Sequence, residues 1–315
     1  MKQTASLSII IPVFNEKGNV SLLHQKIKNV MDTLGNQWEL IFIDDGSTDG
    51  TFEVLKEILK QDKNVKIIKF RTNFGKAAAY AAGIAHANGS IIVTMDGDLQ
   101  DDPAEITKFL QKIDEGYDYV SGWKYKGKGN PYRAWPSKIF NKVVNVLTKI
   151  RLHDFNCPFK AFRKGVVLPG EIYGELYRFI PVLVHAKGYK IAEVKIENLP
   201  RIYGESKYGW ERFFRGFFDL LTVMFLKKYF KRPLHFFGGI GLLTIFGGFS
   251  TIAALYFLKF VYNIPIKESP FLFGLSLLAI ILGIQFISIG LVSELIININ
   301  KKPDDHYQIK ETINF

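Results

Sequence analysis

Several features are scarce or missing in this 315-residue chain, and each absence excludes a class of protein. The single cysteine, Cys157, leaves no intrachain disulfide, so the fold needs no oxidising compartment. The chain has no Walker A loop, no Gly-x-Gly-x-x-Gly fingerprint and no Ser-His-Asp triad signature. It also shows no secretory signal, because the apolar run Leu7–Val13 is short and is followed at once by Asn15 and Glu16. We therefore expect the first part of the chain to stay in the cytoplasm.

Positive charge is in excess and is clustered. The chain has 41 basic and 30 acidic residues, a formal net charge of +11. One basic cluster lies between residues 124 and 151, and a second lies between residues 227 and 232. Such clusters suit phosphate groups or an anionic membrane surface. Nucleic acid is the rival interpretation, but both clusters lie near apolar or amphipathic segments, so we expect no nucleic-acid partner.

Strand-like and helix-like segments alternate in the first two thirds of the chain. Short β-branched runs occur at Leu7–Ile11, Leu40–Ile43, Val65–Phe70, Ile91–Met95 and Tyr117–Ser121. Helical spacing occurs between the first four runs, near Gly18–Leu34, Thr51–Gln61 and Lys76–Ala87. This alternation predicts an α/β fold with a mostly parallel sheet covered on both faces. The carboxyl ends of its strands should share one edge, where ligands usually bind, and polar clusters do follow the first four strands.

Two long apolar stretches dominate the rest of the chain. Leu234–Phe257 and Phe271–Ile297 each have about the 20 residues that a membrane helix needs. Basic residues precede the first at Lys227–Arg232 and follow the second at Lys301–Lys302, which predicts that both flanks are cytoplasmic. Buried helices of a soluble core are the alternative, which a C-terminal hairpin of two such runs fits poorly. We predict a multi-pass protein of the cell membrane with a cytoplasmic front domain.

Two further segments, Pro136–Ile150 and Trp210–Tyr229, mix apolar and basic residues. This composition suits helices that lie in the headgroup layer, although core-facing helices are the alternative. The predicted organisation is a domain over residues 1–205, a juxtamembrane amphipathic helix over 206–232, two transmembrane helices over 233–302 and a cytoplasmic tail over 303–315. A homo-oligomer, either a dimer or a tetramer, is compatible with this organisation, but no residue demonstrates one.

The strongest chemical signal is the turn Asp96-Gly97-Asp98 after the fourth predicted strand. Two carboxylates one residue apart give Mg²⁺ or Mn²⁺ few protein ligands and leave room for water and a diphosphate. Such a turn is common by itself, and its place at the strand end is what favours a metal site. A bound cation would offset the charge that develops on a departing diphosphate.

Polar motifs also follow the first three strands. Asp44 and Asp45 stand at the end of the second strand, where acceptor oxygens could read a nucleobase or ribose. Asp49, a few residues later, is better explained as a helix cap. After the third strand, Gly75 and Lys76 open a helix of small residues, so that backbone N–H groups and a lysine charge can meet a phosphate.

These segments, in this order, closely resemble the family-2 inverting glycosyltransferases of GT-A fold, over the chain from about Leu7 to Lys207. The further pieces resemble the polyprenyl-phosphate subgroup, which includes dolichol-phosphate mannose synthase and bacterial glucosyltransferases that load undecaprenyl phosphate. The resemblance implies a GT-A, Rossmann-like sheet domain with amphipathic interface helices and a C-terminal two-helix transmembrane hairpin.

The resemblance also implies roles at the donor side of the site. The metal ligands would be Asp96 and Asp98, with Gln100 close by. The residues that hold the nucleotide would be Pro12, Phe14, Glu16, Asp44 and Asp45. Arg201 and Lys207 match a mobile loop that closes over the diphosphate, although a solvated linker is the alternative for that stretch.

On the acceptor side, Arg133 and Ser137 match an arginine and a serine, four apart, that bind the lipid phosphate. Lys124 stands where the subgroup usually has arginine. Asp154 begins the segment Asp154–Phe159, which matches Asp-x-x-Cys/Ser-Gly-Phe except that Pro158 replaces glycine. Because proline fixes φ at a negative value, we expect a stiffer loop here.

The predicted function is the inverting transfer of a hexose from a nucleotide sugar to a polyprenyl phosphate. Glucose, UDP and undecaprenyl phosphate are favoured, and the enzyme should depend on Mg²⁺ or Mn²⁺. The phosphate acceptor, with a second pKa near ~6, is already a dianion and needs no strong base. The candidate catalytic residues are Asp98, Asp154, Arg133 and Ser137. The alternatives are a processive polysaccharide synthase, whose Gln-x-x-Arg-Trp motif is missing here, and a non-enzymatic membrane scaffold or sugar-binding protein.

Overall fold

The computed structural model of the chain describes residues 6–126, 144–145, 150–172, 176–197, 199, 233–262 and 269–300. These residues belong to two compact units, Met1–Val223 and Met224–Phe315. The predicted amphipathic segment Trp210–Tyr229 and the predicted tail 303–315 lie outside the described residues, as does most of Pro136–Ile150.

The described strands of the first unit form one seven-stranded sheet. Its strands are β1 Leu7–Val13, β2 Trp38–Asp44, β3 Val65–Lys69, β4 Ile91–Thr94, β5 Tyr119–Lys126, β6 Lys160–Arg163 and β7 Ile191–Glu197. Their order is β3-β2-β1-β4-β6-β5-β7. Strands β1 to β4 are parallel, β6 runs antiparallel to both β4 and β5, and β7 is parallel to β5. The predicted mostly parallel sheet is confirmed, and β6 and β7 are additions that the sequence pattern did not reveal.

Helices cover both faces of this sheet. They are α1 Val20–Leu34, α2 Thr51–Gln61, α3 Lys76–His86, α4 Ile106–Asp114 and α5 Ile180–Ala186. On one face α1, α2 and α4 pack against the side of β1 that carries Ile9 and Ile11, and on the other α3 and α5 share a core with Ile10. Because both faces of β1 are buried, its sequence is apolar except for Ser8.

The second unit contains helices α6 Pro233–Tyr262 and α7 Pro270–Asn300. They form an antiparallel hairpin in which Gly241 lies against Gly283 and Gly248 lies against Ser276. A Cβ on Gly241 would stand 2.6 Å from the carbonyl oxygen of Gly283, so only small residues allow this approach. Both helices are long and apolar enough to cross a membrane, and little of their length is buried inside the unit. The predicted two-helix hairpin is confirmed.

Candidate active site

The loops that follow β1 and β2 are joined at the carboxyl edge of the sheet. The Asp45 amide donates to the Val13 carbonyl at 2.9 Å, and the Asn15 amide donates to Ser47 Oγ at 2.9 Å. The Asn15 side chain in turn accepts from the Thr48 amide at 2.8 Å, and Asn15 has a left-handed φ of 54°.

The predicted nucleotide residues of the first strand lie along this junction. Pro12 is in β1, and the half-buried Phe14 and Glu16 flank Asn15. The Glu16 amide donates to Thr51 Oγ1 at 2.9 Å, so the start of α2 is tied to the same loop. The structure therefore brings the first two motifs together.

The loop after β2 also holds the loop after β3. Asp45 accepts from the amides of Phe74 and Gly75, at 2.7 Å and 2.9 Å. Gly46 has a φ of 75°, and a Cβ there would stand 2.6 Å from the backbone carbon of Thr72, so glycine is required at this contact. Burial raises the pKa of the Asp45 carboxyl group, although its two backbone donors oppose the change.

Asp44 is fully buried beside this contact. Its Oδ1 accepts from the Ser47 amide at 3.0 Å. Its Oδ2 is buried and has no hydrogen-bond partner among the described residues. An unpaired buried carboxylate oxygen is energetically costly. A ligand that donates a hydrogen bond to it therefore binds more favourably.

The Asp96–Asp98 turn packs directly on these loops. Lys76 Nζ lies 2.6 Å from Asp96 Oδ1, and the Tyr80 hydroxyl donates to the same oxygen at 3.3 Å. A Cβ on Gly97 would stand 2.8 Å from Val13 Cγ1, which shows how closely the turn meets β1. Burial by itself raises the pKa of Asp96, but the ion pair with Lys76 outweighs it, and the pKa lies below its ordinary value.

The donors of this turn fit a hard divalent cation. Both described contacts of the Asp96 carboxylate are made to Oδ1, and the Asp96 side chain is 20% exposed. Asp98 is 8% exposed, and its Oδ1 accepts from the Gln100 amide at 3.2 Å. Within the described ranges no three His, Cys, Asp or Glu side chains converge to form a complete protein cage. A pair of carboxylates with room for water and phosphate oxygens is what Mg²⁺ and Mn²⁺ need from such a site.

A buried ion pair supports the turn from the other side. Asp101 Oδ1 lies 2.8 Å from Lys124 Nζ on β5, and Asp101 Oδ2 accepts from the Asp96 amide at 3.2 Å. Burial alone would lower the pKa of Lys124, but Asp101 outweighs it and raises that pKa. Lys124 therefore carries a fixed positive charge next to the turn. Sequence reasoning did not single out Asp101, although its place in an acidic run was a usable signal.

Asp154 is buried in the loop that precedes β6. Its Oδ1 accepts from the Asn156 amide at 3.1 Å, and its own amide donates to Glu193 Oε1 at 3.1 Å. Burial raises the pKa of the neighbouring Cys157 thiol, so this cysteine behaves as a small buried apolar residue.

Four predicted site residues, Arg133, Ser137, Arg201 and Lys207, lie outside the described residues. The amide of Leu199 donates to the carbonyl of Gln100 at 3.0 Å, so Leu199, after β7, contacts the segment that follows the Asp96–Asp98 turn. The donor-side residues Pro12, Phe14, Glu16, Asp44, Asp45, Lys76, Asp96, Asp98 and Gln100 all lie on the joined loops and adjoining ends of the four parallel strands.

Comparison with known proteins agrees with this arrangement. Residues 8–168 match glycosyl transferase family 2. The chain is 35% identical to dodecaprenyl-phosphate galacturonate synthase of Rhizobium johnstonii, covering 93% of this chain and 88% of that protein. It is 32% identical to undecaprenyl-phosphate 4-deoxy-4-formamido-L-arabinose transferase of Shewanella sediminis, covering 92% and 86%.

A solved structure shares the fold. It is glucosyl-3-phosphoglycerate synthase from Mycobacterium tuberculosis with Mn²⁺, UDP and glucosyl-3-phosphoglycerate, at a TM-score of 0.53 and 16% identity, covering 71% of this chain and 80% of that one. The family match, the two relatives and the GT-A-like sheet lead to one conclusion: the chain is a glycosyltransferase and belongs to glycosyl transferase family 2.

Proposed function

We propose that this enzyme transfers a sugar from a UDP sugar to undecaprenyl phosphate, with inversion, at the cytoplasmic face of the cell membrane. The observation that carries the proposal is the junction of the Asp96–Asp98 turn with the loops after β1, β2 and β3. The names of both relatives, each matched over more than nine tenths of this chain, describe transfer to a polyprenyl phosphate.

The base end of the donor site is compatible with UDP. Asp44 offers one buried oxygen without a hydrogen bond, while its other oxygen accepts from Ser47. A uracil ring has one imide N–H to donate, which satisfies one such oxygen. Leaving the oxygen unpaired costs about 1–3 kcal/mol, so a hydrogen bond from the base adds affinity.

The diphosphate end offers a lysine and a helix start among several acids. Lys76 lies in the first turn of α3, where backbone N–H groups point outward and favour phosphate oxygens. Asp96 holds this lysine in place through the 2.6 Å ion pair, so its ammonium group is positioned before the donor arrives. Mg²⁺ or Mn²⁺ bound at Asp96 and Asp98 would offset charge on the departing diphosphate.

The acceptor needs to be held rather than activated. A phosphate monoester is largely a dianion at neutral pH, so the reaction depends on positioning and on charge. Lys124, together with the predicted Arg133 and Ser137, would hold this dianion, and Arg201 and Lys207 would close over the donor. Asp154 would orient the sugar or the acceptor phosphate.

The membrane location follows from the acceptor. Undecaprenyl phosphate presents its phosphate at headgroup depth, and an enzyme anchored by α6 and α7 keeps its site near that depth. The two candidate spans and the basic residues at their flanks support a multi-pass protein with its sheet domain in the cytoplasm. Assembly into a dimer or a tetramer remains a prediction.

The test uses purified full-length protein in proteoliposomes that contain undecaprenyl phosphate. UDP-glucose, which the sequence favoured, is compared with UDP-N-acetylglucosamine and UDP-galacturonate, each with Mn²⁺ or Mg²⁺, and the lipids are read by mass spectrometry. A lipid-linked monosaccharide is the expected product. A polymer would instead indicate a processive synthase, and the absence of turnover with every donor would favour a scaffold; either outcome contradicts the proposal.

A matched pair of variants tests the metal turn. We expect Asp98→Asn to lower kcat by about 10²-fold or more, since it removes a charge that holds the cation next to the leaving group. Asp118→Asn makes the same change at the opposite edge of the sheet, where Asp118 accepts from the Lys190 amide, and should leave kcat unchanged. Full activity of Asp98→Asn would contradict the metal assignment.

A further inference from the structure

The loop that carries Asp154 is fastened to the sheet through three consecutive carbonyl groups. The Cys157 carbonyl accepts from Lys160 Nζ, and the Pro158 carbonyl accepts from Thr94 Oγ1 at 2.8 Å. The Phe159 carbonyl accepts from the Gly122 amide at 2.9 Å. The donors come from β6, β4 and β5, so three neighbouring strands hold one short loop.

The loop also lacks one backbone donor, at residue 158. Proline has no N–H group, and Pro158 occupies that position. Thr94 and Lys160 are directly paired across β4 and β6, so their side chains project from the same face of the sheet. Lys160 and Thr94, on adjacent strands, therefore donate hydrogen bonds to the adjacent carbonyl groups of Cys157 and Pro158.

Lys160 is a rare kind of lysine, because the residue is only 3% exposed. It projects on the face where Ile92 and Phe162, its neighbours on β4 and β6, pack with Tyr80 of α3. Both Asp154 and Asp96 act on its ammonium group electrostatically, and burial lowers the pKa of Lys160 despite them. A buried ammonium group that contacts the Asp154 loop is thus within electrostatic range of a predicted metal ligand.

We propose that Lys160 is a positioning residue of the transfer reaction. Together with Thr94 it holds the Cys157–Pro158 peptide, and through that peptide it sets where Asp154 stands relative to the carboxyl end of β4. This inference rests on the proposed function for its kinetic consequence, but the fastening of the loop can be tested without any turnover.

The first measurement is hydrogen exchange of the full-length protein by mass spectrometry. Lys160→Met and Thr94→Val each remove one of the two side-chain donors at similar volume. Both should speed exchange in the peptide that covers residues 154–159. Lys187→Met is the matched control, because Lys187 also donates to a backbone carbonyl, that of Val166, and pairs with Glu171. Unchanged exchange of the loop in both test variants would overturn the proposal.

The second measurement is a double-mutant cycle with Asp154→Asn in the lipid-transfer assay. We expect Lys160→Met to lower kcat by about 10–100-fold while the donor KM changes by less than about threefold, since a small misplacement of a reacting group is costly. If Lys160 acts through Asp154, the double variant should lose no more than about threefold beyond the worse single variant. A lysine that only stabilises the fold would give losses that multiply.

The outcomes separate the two proposals. If the wild type transfers no sugar to undecaprenyl phosphate, the proposed function fails, while loop exchange still decides whether Lys160 and Thr94 fasten the loop. If the wild type is active and Lys160→Met keeps kcat within twofold, or its loss multiplies with that of Asp154→Asn, Lys160 is not a positioning residue. Should Lys160→Met fail to fold, Thr94→Val carries the same cycle, with an expected loss of about 3–10-fold.

Discussion

Replacing Asp45 with asparagine should weaken donor binding by releasing the loop that leads into α3. The Asp45 carboxylate accepts from two amides, at 2.7 Å from Phe74 and 2.9 Å from Gly75. Asparagine keeps one acceptor oxygen and turns an N–H donor toward the other amide. Lys76 begins the helix directly after this loop, so the loop sets the lysine's position.

The magnitude follows from the lost contact. A hydrogen bond to a charged group contributes about 1.5–3 kcal/mol, and we take ~2 kcal/mol for the one that is lost. If donor binding must restore the loop, this corresponds to a roughly 30-fold weaker affinity at about 1.4 kcal/mol per tenfold change. The assay is calorimetric titration of the full-length protein with UDP and Mn²⁺, alongside thermal unfolding.

The control makes the same substitution at the opposite edge of the sheet. Asp62 accepts from the Asn64 amide at 2.9 Å and lies 2.9 Å from the His24 ring, before β3 begins. Asp62→Asn should lower the melting temperature and leave UDP affinity within about twofold. An Asp45→Asn variant that binds UDP normally, or Asp62→Asn losing as much affinity, would refute the reasoning.

Three further predictions concern stability, the metal and the hairpin. The pKa of Glu39 is lowered to about 2 from 4.5, because its hydrogen bonds outweigh burial, so its stabilising effect is present above about pH 4.5 and is lost as pH falls toward 2. Glu39→Gln should therefore cost about 1–2 kcal/mol at pH 7, allowing for solvent screening, and thermal melts should show this gap closing as the solution is acidified. Chelation with EDTA should abolish sugar transfer and added Mn²⁺ should restore it, whereas undiminished turnover in EDTA would contradict a cation at Asp96 and Asp98. Gly283→Val should destabilise the α6–α7 hairpin by about 1–3 kcal/mol, since its Cβ would stand 2.6 Å from the Gly241 carbonyl oxygen, while Gly274→Val meets nothing within 4 Å and should melt in detergent like the wild type.

Local patterns were sufficient for the first four strands and the helices between them. Strands β1, β2 and β4 are largely buried and read as apolar runs, and the buried residues of α1 and α2 recur at helical spacing. Strand β6 was not predicted, because it has only four residues and begins with a lysine. Strand β7 was missed although Val194 and Ile196 alternate with Glu193 and Lys195, which is the pattern of a half-buried strand. Its signal was therefore present in the sequence, whereas that of β6 was too short to use.

The residues of the candidate site also fall into those that the sequence predicted and those that only the structure revealed. Asp96, Asp98 and Lys76 were predicted because each stands at a strand end or a helix start, which the sequence reveals directly. Lys160 could not be predicted, since nothing near it in the sequence indicates a buried ammonium group. Asp101 gains its ion pair from Lys124, which stands more than twenty residues later on β5.

The sequence by itself was enough for the class of fold, the Asp96–Asp98 turn at a strand end and the two apolar helices, because periodicity, turn residues and helix length are local properties. The tertiary structure decided which charges meet. Strand β1 lies between β2 and β4 and so brings the loops after β1 and β2 against the Asp96 turn, and β6 inserts between β4 and β5 and so places Lys160 beside Thr94. Partners of this kind depend on the order of strands in the sheet, and that order is set by burial of both its faces rather than by any one segment.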